Sequence, residues 1–202
     1  MAMRLPEEKI YEMLPTGTHL AVCNRIVDLG TQDTAFGSKH QILLGWETAE
    51  EKMSDGRPFA ISRRYVLSTD RRSNFRAALE AMLQRSLTPE DFGKLDLETL
   101  LGLAALLHVR HDVREARTFV NVANVMPPPK GTPPRASDGI CFSFEPFDRN
   151  AFEALPVWVQ DLIRRSPEYL AATRADAGTG SIGKRLHAAL KSADLPSDGI
   201  PF

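Results

Sequence analysis

Residues 18–48, THLAVCNRIVDLGTQDTAFGSKHQILLGWET, decide the fold. Over 18–29 the chain alternates loosely, with Leu20, Val22 and Ile26 on one face and Ala21, Cys23, Arg25 and Val27 on the other, the period-two signature of a strand. Gly30, Gly37 and the small polar residues between them mark a loop, and KHQILLGWET at 39–48 returns as a second strand. The stretch is a β-hairpin, and the fold depends on what pairs with it.

After a charged turn punctuated by Asp55-Gly56 and Pro58, FAISRRYVLS at 59–68 carries the β-branched and aromatic residues of a third strand. The period then changes. Phe75, Ala78, Leu79, Met82 and Leu83 recur at helical spacing, with Ser68 or Asp70 as the expected cap. Thr88-Pro89 starts a second helical turn, and Gly102 is its expected stop. Two further strands follow at 103–113 and 117–126, before PPPKGTPPRASDG at 127–139 abandons regular structure. Five short antiparallel strands with a helix between the third and fourth is the order of a five-stranded OB-fold barrel, with the helix plugging its open end. A β-sandwich or a generic α+β sheet shares that order. The expected organisation is a mainly β domain over 1–130, a proline-rich connection over 131–147, a helical segment over 148–170 with Trp158, Leu162 and Ile163 as its apolar stripe, and a flexible tail over 171–202.

Composition narrows the function classes. The 202 residues carry 25 Lys and Arg against 26 Asp and Glu, a net charge of −1 that excludes the broad basic surface of a duplex-coating protein. Cys23 and Cys141, 118 positions apart and outside any CxxC, suggest neither a disulfide framework nor a zinc site, and no apolar run is long enough to span a bilayer. A cytoplasmic protein without membrane contact is expected. No GxSxG, P-loop, HExxH or post-strand GxGxxG is present, and His108 and His111, three apart on a strand, point to opposite faces. These observations predict a protein that is not an enzyme and takes no cofactor or metal.

The charge is distributed unevenly. Between positions 57 and 76 stand Arg57, Arg63, Arg64, Arg71, Arg72 and Arg76 against Asp70 alone, a net +5, interleaved with Phe59, Tyr65 and Phe75. Single-stranded nucleic acid needs this mixture, because bases stack on flat side chains while guanidinium groups hold phosphates. Phe36, at the tip of the first hairpin with Lys39 nearby, and Trp46 on the second strand are further candidates. The alternative for Phe59, Tyr65 and Trp46 is the core, since Phe59, Ile61, Arg63 and Tyr65 share one strand face. Arg64 and Tyr65 face the same ligand only if the strand bulges.

The chain end SDGIPF, preceded by Asp194-Leu195-Pro196, resembles the DDDIPF terminus of bacterial single-stranded DNA-binding proteins. The body resembles the single-stranded DNA-binding proteins of phages and mobile elements, through IVDLGTQDTAFGSKHQILLGWE, the ISRRY strand followed by a helix, FVNVANVMPPPKG and LPVWVQDLIRRSPEYL. The resemblance implies an OB fold, sequence-independent binding of single-stranded DNA, and service in DNA replication, recombination or repair. For the tail it implies that Phe202 anchors in a pocket on partner proteins, with Pro201 and Ile200 beside it and Asp198 on a basic rim. Gly199 and Ser197 stand where acids are usual in that terminus, which weakens the implied attraction. An RNA-binding OB protein, or an interaction module that binds no nucleic acid, is the alternative, and assembly into a homo-oligomer stays open.

Overall fold

The computed structural model describes residues 12–115, 117–135 and 138–174, and over these the protein is mainly β with a few short helices. Strands β1 (Gly17–Thr34) and β2 (Gly37–Lys52) form a hairpin longer than alternation suggests, turning only at 35–36. The loop expected from Gly30 onward is absorbed into β1, because Gly30 takes φ +67° at a bulge and the strand continues past it.

Strand β3 (Pro58–Val66) pairs with β2, β4 (Ala104–Arg114) with the first part of β1, and β5 (Arg117–Met126) with β4, all antiparallel, giving the order β3-β2-β1-β4-β5. A sixth strand, β6 (Ile140–Phe142), runs parallel to β1 at Arg25–Val27. It lies inside the stretch expected to be a connection only, and three residues are too few to show a period. The edge strands β3 and β5 come into contact, but no ladder joins them, so the sheet stays open at this seam.

Helix α1 (Asn74–Leu83) is capped by Ser73, whose hydroxyl accepts from the Phe75 N–H, rather than by Ser68 or Asp70. Those two residues shape the bend before it, where Asp70 accepts from the Arg72 N–H at 2.8 Å. Helix α2 (Pro89–Lys94) has the expected Thr88 cap, closed by Asp91 into a reciprocal capping box. The bonds from the Thr88 backbone and side chain, helped by Arg85, hold the Asp91 carboxyl down at about 2.

One core lies on the inner face of the sheet. It joins residues of all five long strands, among them Ile26, Leu44, Trp46, Ile61, Leu107 and Val122, to Phe75, Leu79 and Met82 of α1. Strand β1 does not present the faces that simple alternation assigns. A bulge between Cys23 and Arg25 leaves Asn24 as the extra residue, so Ala21 and Cys23 before it and Ile26 after it all face this core.

A second core covers the outer face. Helices α3 (Arg149–Glu153), capped by Asp148, and α4 (Val157–Arg164), entered through Pro156, bring Phe152, Val159 and Ile163 onto Val27, Leu29 and Leu43. The 148–170 segment is thus docked on the β1–β2 hairpin. Its buried stripe is Val159 and Ile163, with Leu162 only partly covered and Trp158 turned outward. Among the described residues no helix is long and apolar enough to cross a membrane.

Candidate nucleic-acid interface

The β2–β3 ladder runs without a shift from Gln41–Val66 to Glu47–Ala60, so the two central arginines of β3 are separated by the pleat. Arg64 is opposite Leu43 on the outer face and is exposed, whereas Arg63 is opposite Leu44 on the inner face. Arg63 escapes the core because β3 is an edge strand. Its guanidinium reaches across the seam and donates through Nη1 to the Ala123 carbonyl at 2.9 Å, while its Cζ lies 5.0 Å from the centre of the Tyr65 ring. Ala123 is the residue skipped by the β4–β5 ladder between the His108–Asn124 and Val109–Val122 pairs. One side chain therefore bridges the seam where a ladder is missing.

Two clefts meet at Arg63 and Arg64. One, of about 480 Å3, is bounded by the end of β3 and the start of α1 and includes Asp70, Arg72 and Asn74 in its lining. The other, of about 460 Å3, reaches over the outer face to Arg110, Asp112 and Arg114 of β4, Asn121 of β5 and Trp158 of α4. Together they hold five arginines against two aspartates. Both acids are already engaged, Asp70 by the Arg72 N–H and Asp112 by the Asn121 amide at 2.7 Å. Arg64, Arg110 and Arg114 have no ion-pair partner among the described residues. The arrangement offers forked donors to an anionic backbone, with the half-exposed ring of Trp158 beside them.

The candidates named from sequence separate into groups. Trp46 and Phe59 are interior, at 0% and 9% exposure, and Tyr65, at 4% exposure, edges the first cleft with the Arg63 guanidinium over its ring, so none of the three offers a free ring face to a base. Burial pushes the Tyr65 hydroxyl up to about 12 against the opposing pull of Arg63, and among the described residues that hydroxyl makes no hydrogen bond of good geometry. Arg63, Arg64 and Arg72 line the clefts; Arg71 is exposed beside them. Arg57 lies outside both clefts, at the β2–β3 turn, and its Nε donates to Asp55 at 2.7 Å. Phe36 is 90% exposed at the tip of the first hairpin, with Lys39 exposed nearby, and neither lines either of these two clefts. Asp198, Ile200, Pro201 and Phe202 lie outside the described residues.

Arg110, Arg114 and Trp158 join the site without having been named from sequence. In the chain the two arginines sit beside Asp112 and Glu115, so no local excess of charge marks them. Trp158 has the look of a stripe residue because it precedes Val159 in an amphipathic helix. Among the described residues no group of three or more His, Cys, Asp or Glu side chains is placed to hold a metal; His111 instead contacts the Leu14 carbonyl through Nε2 at 2.8 Å. No protein-family model matches the sequence, and no curated protein matches it significantly.

Proposed function

We propose that the protein binds single-stranded DNA without sequence preference, through the paired clefts at the β3–β5 seam, on a sheet of OB-barrel type whose last closure is left to the Arg63 side chain. The observation that carries this is the convergence of Arg63, Arg64, Arg72, Arg110 and Arg114 on one surface with the exposed Trp158 ring, in a chain whose net charge is −1. A narrow cationic path beside an aromatic suits a strand with unpaired bases and does not suit the wide phosphate array of a duplex. The strand order supports an OB barrel, the family resemblance supports work in replication, recombination or repair, and the cysteine usage supports a cytoplasmic setting. In this proposal binding is not catalytic, and Asp198, Ile200, Pro201 and Phe202 recruit partner proteins.

Titrating oligo-dT, oligo-U and duplex DNA across salt tests the proposal. With about four to six phosphate contacts, log affinity for oligo-dT falls with log salt at a slope of roughly −3 to −4. Preference for duplex, or no binding to any of the three, overturns it. Tighter binding of oligo-U transfers the same clefts to RNA through contacts to the 2′-hydroxyl.

A further inference from the structure

A third cleft, of about 630 Å3, opens farther along the outer face, where β1 and β2 run toward the β2–β3 turn. Its lining includes Arg25 of β1, Lys52 at the end of β2 and Arg135 from the chain after β5, with Glu47 and Asp138 as the acids. None of the three cations has an ion-pair partner among the described residues. The Arg25 Nε is buried and has no acceptor among the described residues.

This cleft is joined to the seam by one row of the sheet. Arg25 pairs with Gly45 across β1–β2, and Gly45 pairs with Ser62 across β2–β3; Ser62 lines the seam cleft. At a strand spacing of about 4.8 Å the row covers about 10 Å. Gly45 makes the junction possible. A Cβ at 45 would lie 2.9 Å from the Arg25 Cβ and 3.8 Å from its Cδ, so the arginine stem occupies the space that any other residue's side chain would fill. The Arg25 stem thereby lies against the β2 backbone at Gly45.

We infer that Arg25, Lys52 and Arg135 form a second phosphate-binding stretch of the same single-strand path, entered from the seam clefts by way of the Arg25–Gly45–Ser62 row. This rests on the nucleic-acid reading of the seam clefts. The outer face then carries one cationic track, with Glu47, two residues from Gly45 on the same face of β2, and Asp138 at its margin.

The test is a length series of oligo-dT bound to the full chain, its R25A/K52A/R135A variant and, for comparison, R64A/R110A/R114A. The R25A/K52A/R135A variant is expected to bind the shortest oligomers as the parent does, to stop gaining affinity roughly two to four nucleotides earlier, and to lose about 2 from the salt slope on long oligomers. The seam variant is expected to lose affinity at every length. An R25A/K52A/R135A variant with the parent's length dependence and slope overturns the inference and leaves the seam reading standing. Equal loss on the shortest oligomers overturns it as well, since the stretch would then be primary. A parent chain that binds no oligomer at any length overturns both. Thermal unfolding checks that the variants fold, and K52E/R135E, confined to two exposed side chains, repeats the comparison if removal of Arg25 unfolds the protein.

Discussion

Trp46 and Trp158 are the only two tryptophans, and the fold gives them opposite fates. Trp46 is sealed in the inner core, whereas Trp158 is 49% exposed on the rim of the seam cleft. Trp158→Ala is expected to weaken oligo-dT binding by about 1–3 kcal/mol with little change in unfolding temperature, and oligo-dT is expected to quench only the Trp158 share of the fluorescence. Quenching that survives in the variant would place the bases elsewhere. Trp46→Ala is expected to cost about 3–5 kcal/mol of stability. Burial also sets an alkaline limit. It raises the Cys23 thiol from 9.0 to about 12 and the Tyr65 hydroxyl from 10.0 to about 12. Both groups hold their protons more tightly folded than unfolded, so their contribution is complete below about pH 9 and is lost as pH rises toward 12. Denaturant midpoints measured across that window are expected to fall, and Cys23→Ala is expected to flatten the lower part of the fall. Tyr65 and Trp46 show why their roles were not legible from residue type. An aromatic on a strand has the same local signature whether it faces a base or a core, and only the register of β3 on β2 separates the two.

The most informative element is β1, whose two bulges rearrange what the chain's alternation implies. The bulge at Asn24 moves the inner face from odd to even positions and so brings Arg25, Val27 and Leu29 to the outer side. The bulge at Gly30 receives the last described helical turns, 167–174. There Glu168 accepts from the Thr31 N–H at 2.9 Å and the Thr31 hydroxyl at 2.6 Å, while His40 stands 2.7 Å from Asp28 and 3.7 Å from Glu168. Burial opposes the Glu168 charge, but the two bonds from Thr31 and the nearby His40 outweigh it and hold the carboxyl below its ordinary 4.5. A lowered carboxyl stabilises the docked segment above about pH 4.5 and loses that contribution as pH falls below it, so Glu168→Gln is expected to make stability less sensitive to acid, as read by urea midpoints below pH 5. Gly30→Ala meets both a positive φ and a Glu168 oxygen 2.6 Å from the new Cβ. It is expected to cost about 1–3 kcal/mol and to weaken oligo-dT binding less than loss of Trp158 does, because α4 is loosened rather than removed. A bulge adds one residue without disturbing composition or hydrophobicity, which is why the sequence shows the strand and hides its twist of faces.

Across the whole molecule the two cores are not separate bodies, since β1 and β2 contribute Ile26, Ile42 and Leu44 to one and Val27, Leu29 and Leu43 to the other. Denaturant unfolding is therefore expected to be a single transition, with far-UV circular dichroism and Trp46 fluorescence coinciding; an early step confined to Trp158 would show that the 148–174 helices melt alone. The near-neutral total charge is compatible with a cationic seam because the arginines concentrate where the edges β3 and β5 meet, and the two acids lining those clefts, Asp70 and Asp112, are already bonded. The order of the five long strands and of the helix after the third was determined by the sequence alone, since periods of two and 3.6, Thr88-Pro89 and the Gly37 turn are local properties of the chain, whereas the three-residue β6 left no such mark. The sequence alone also determined the existence of an arginine excess near 57–76. The membership of the site was decided only by the tertiary structure. Arg57 and Arg76 are held by near neighbours in the chain, Asp55 and Glu80; what no stretch of sequence shows is the arrival of Arg110, Arg114 and Trp158 from far along it. Pairing register, bulges and helix docking bring residues together, and each depends on contacts between segments that no window of sequence contains.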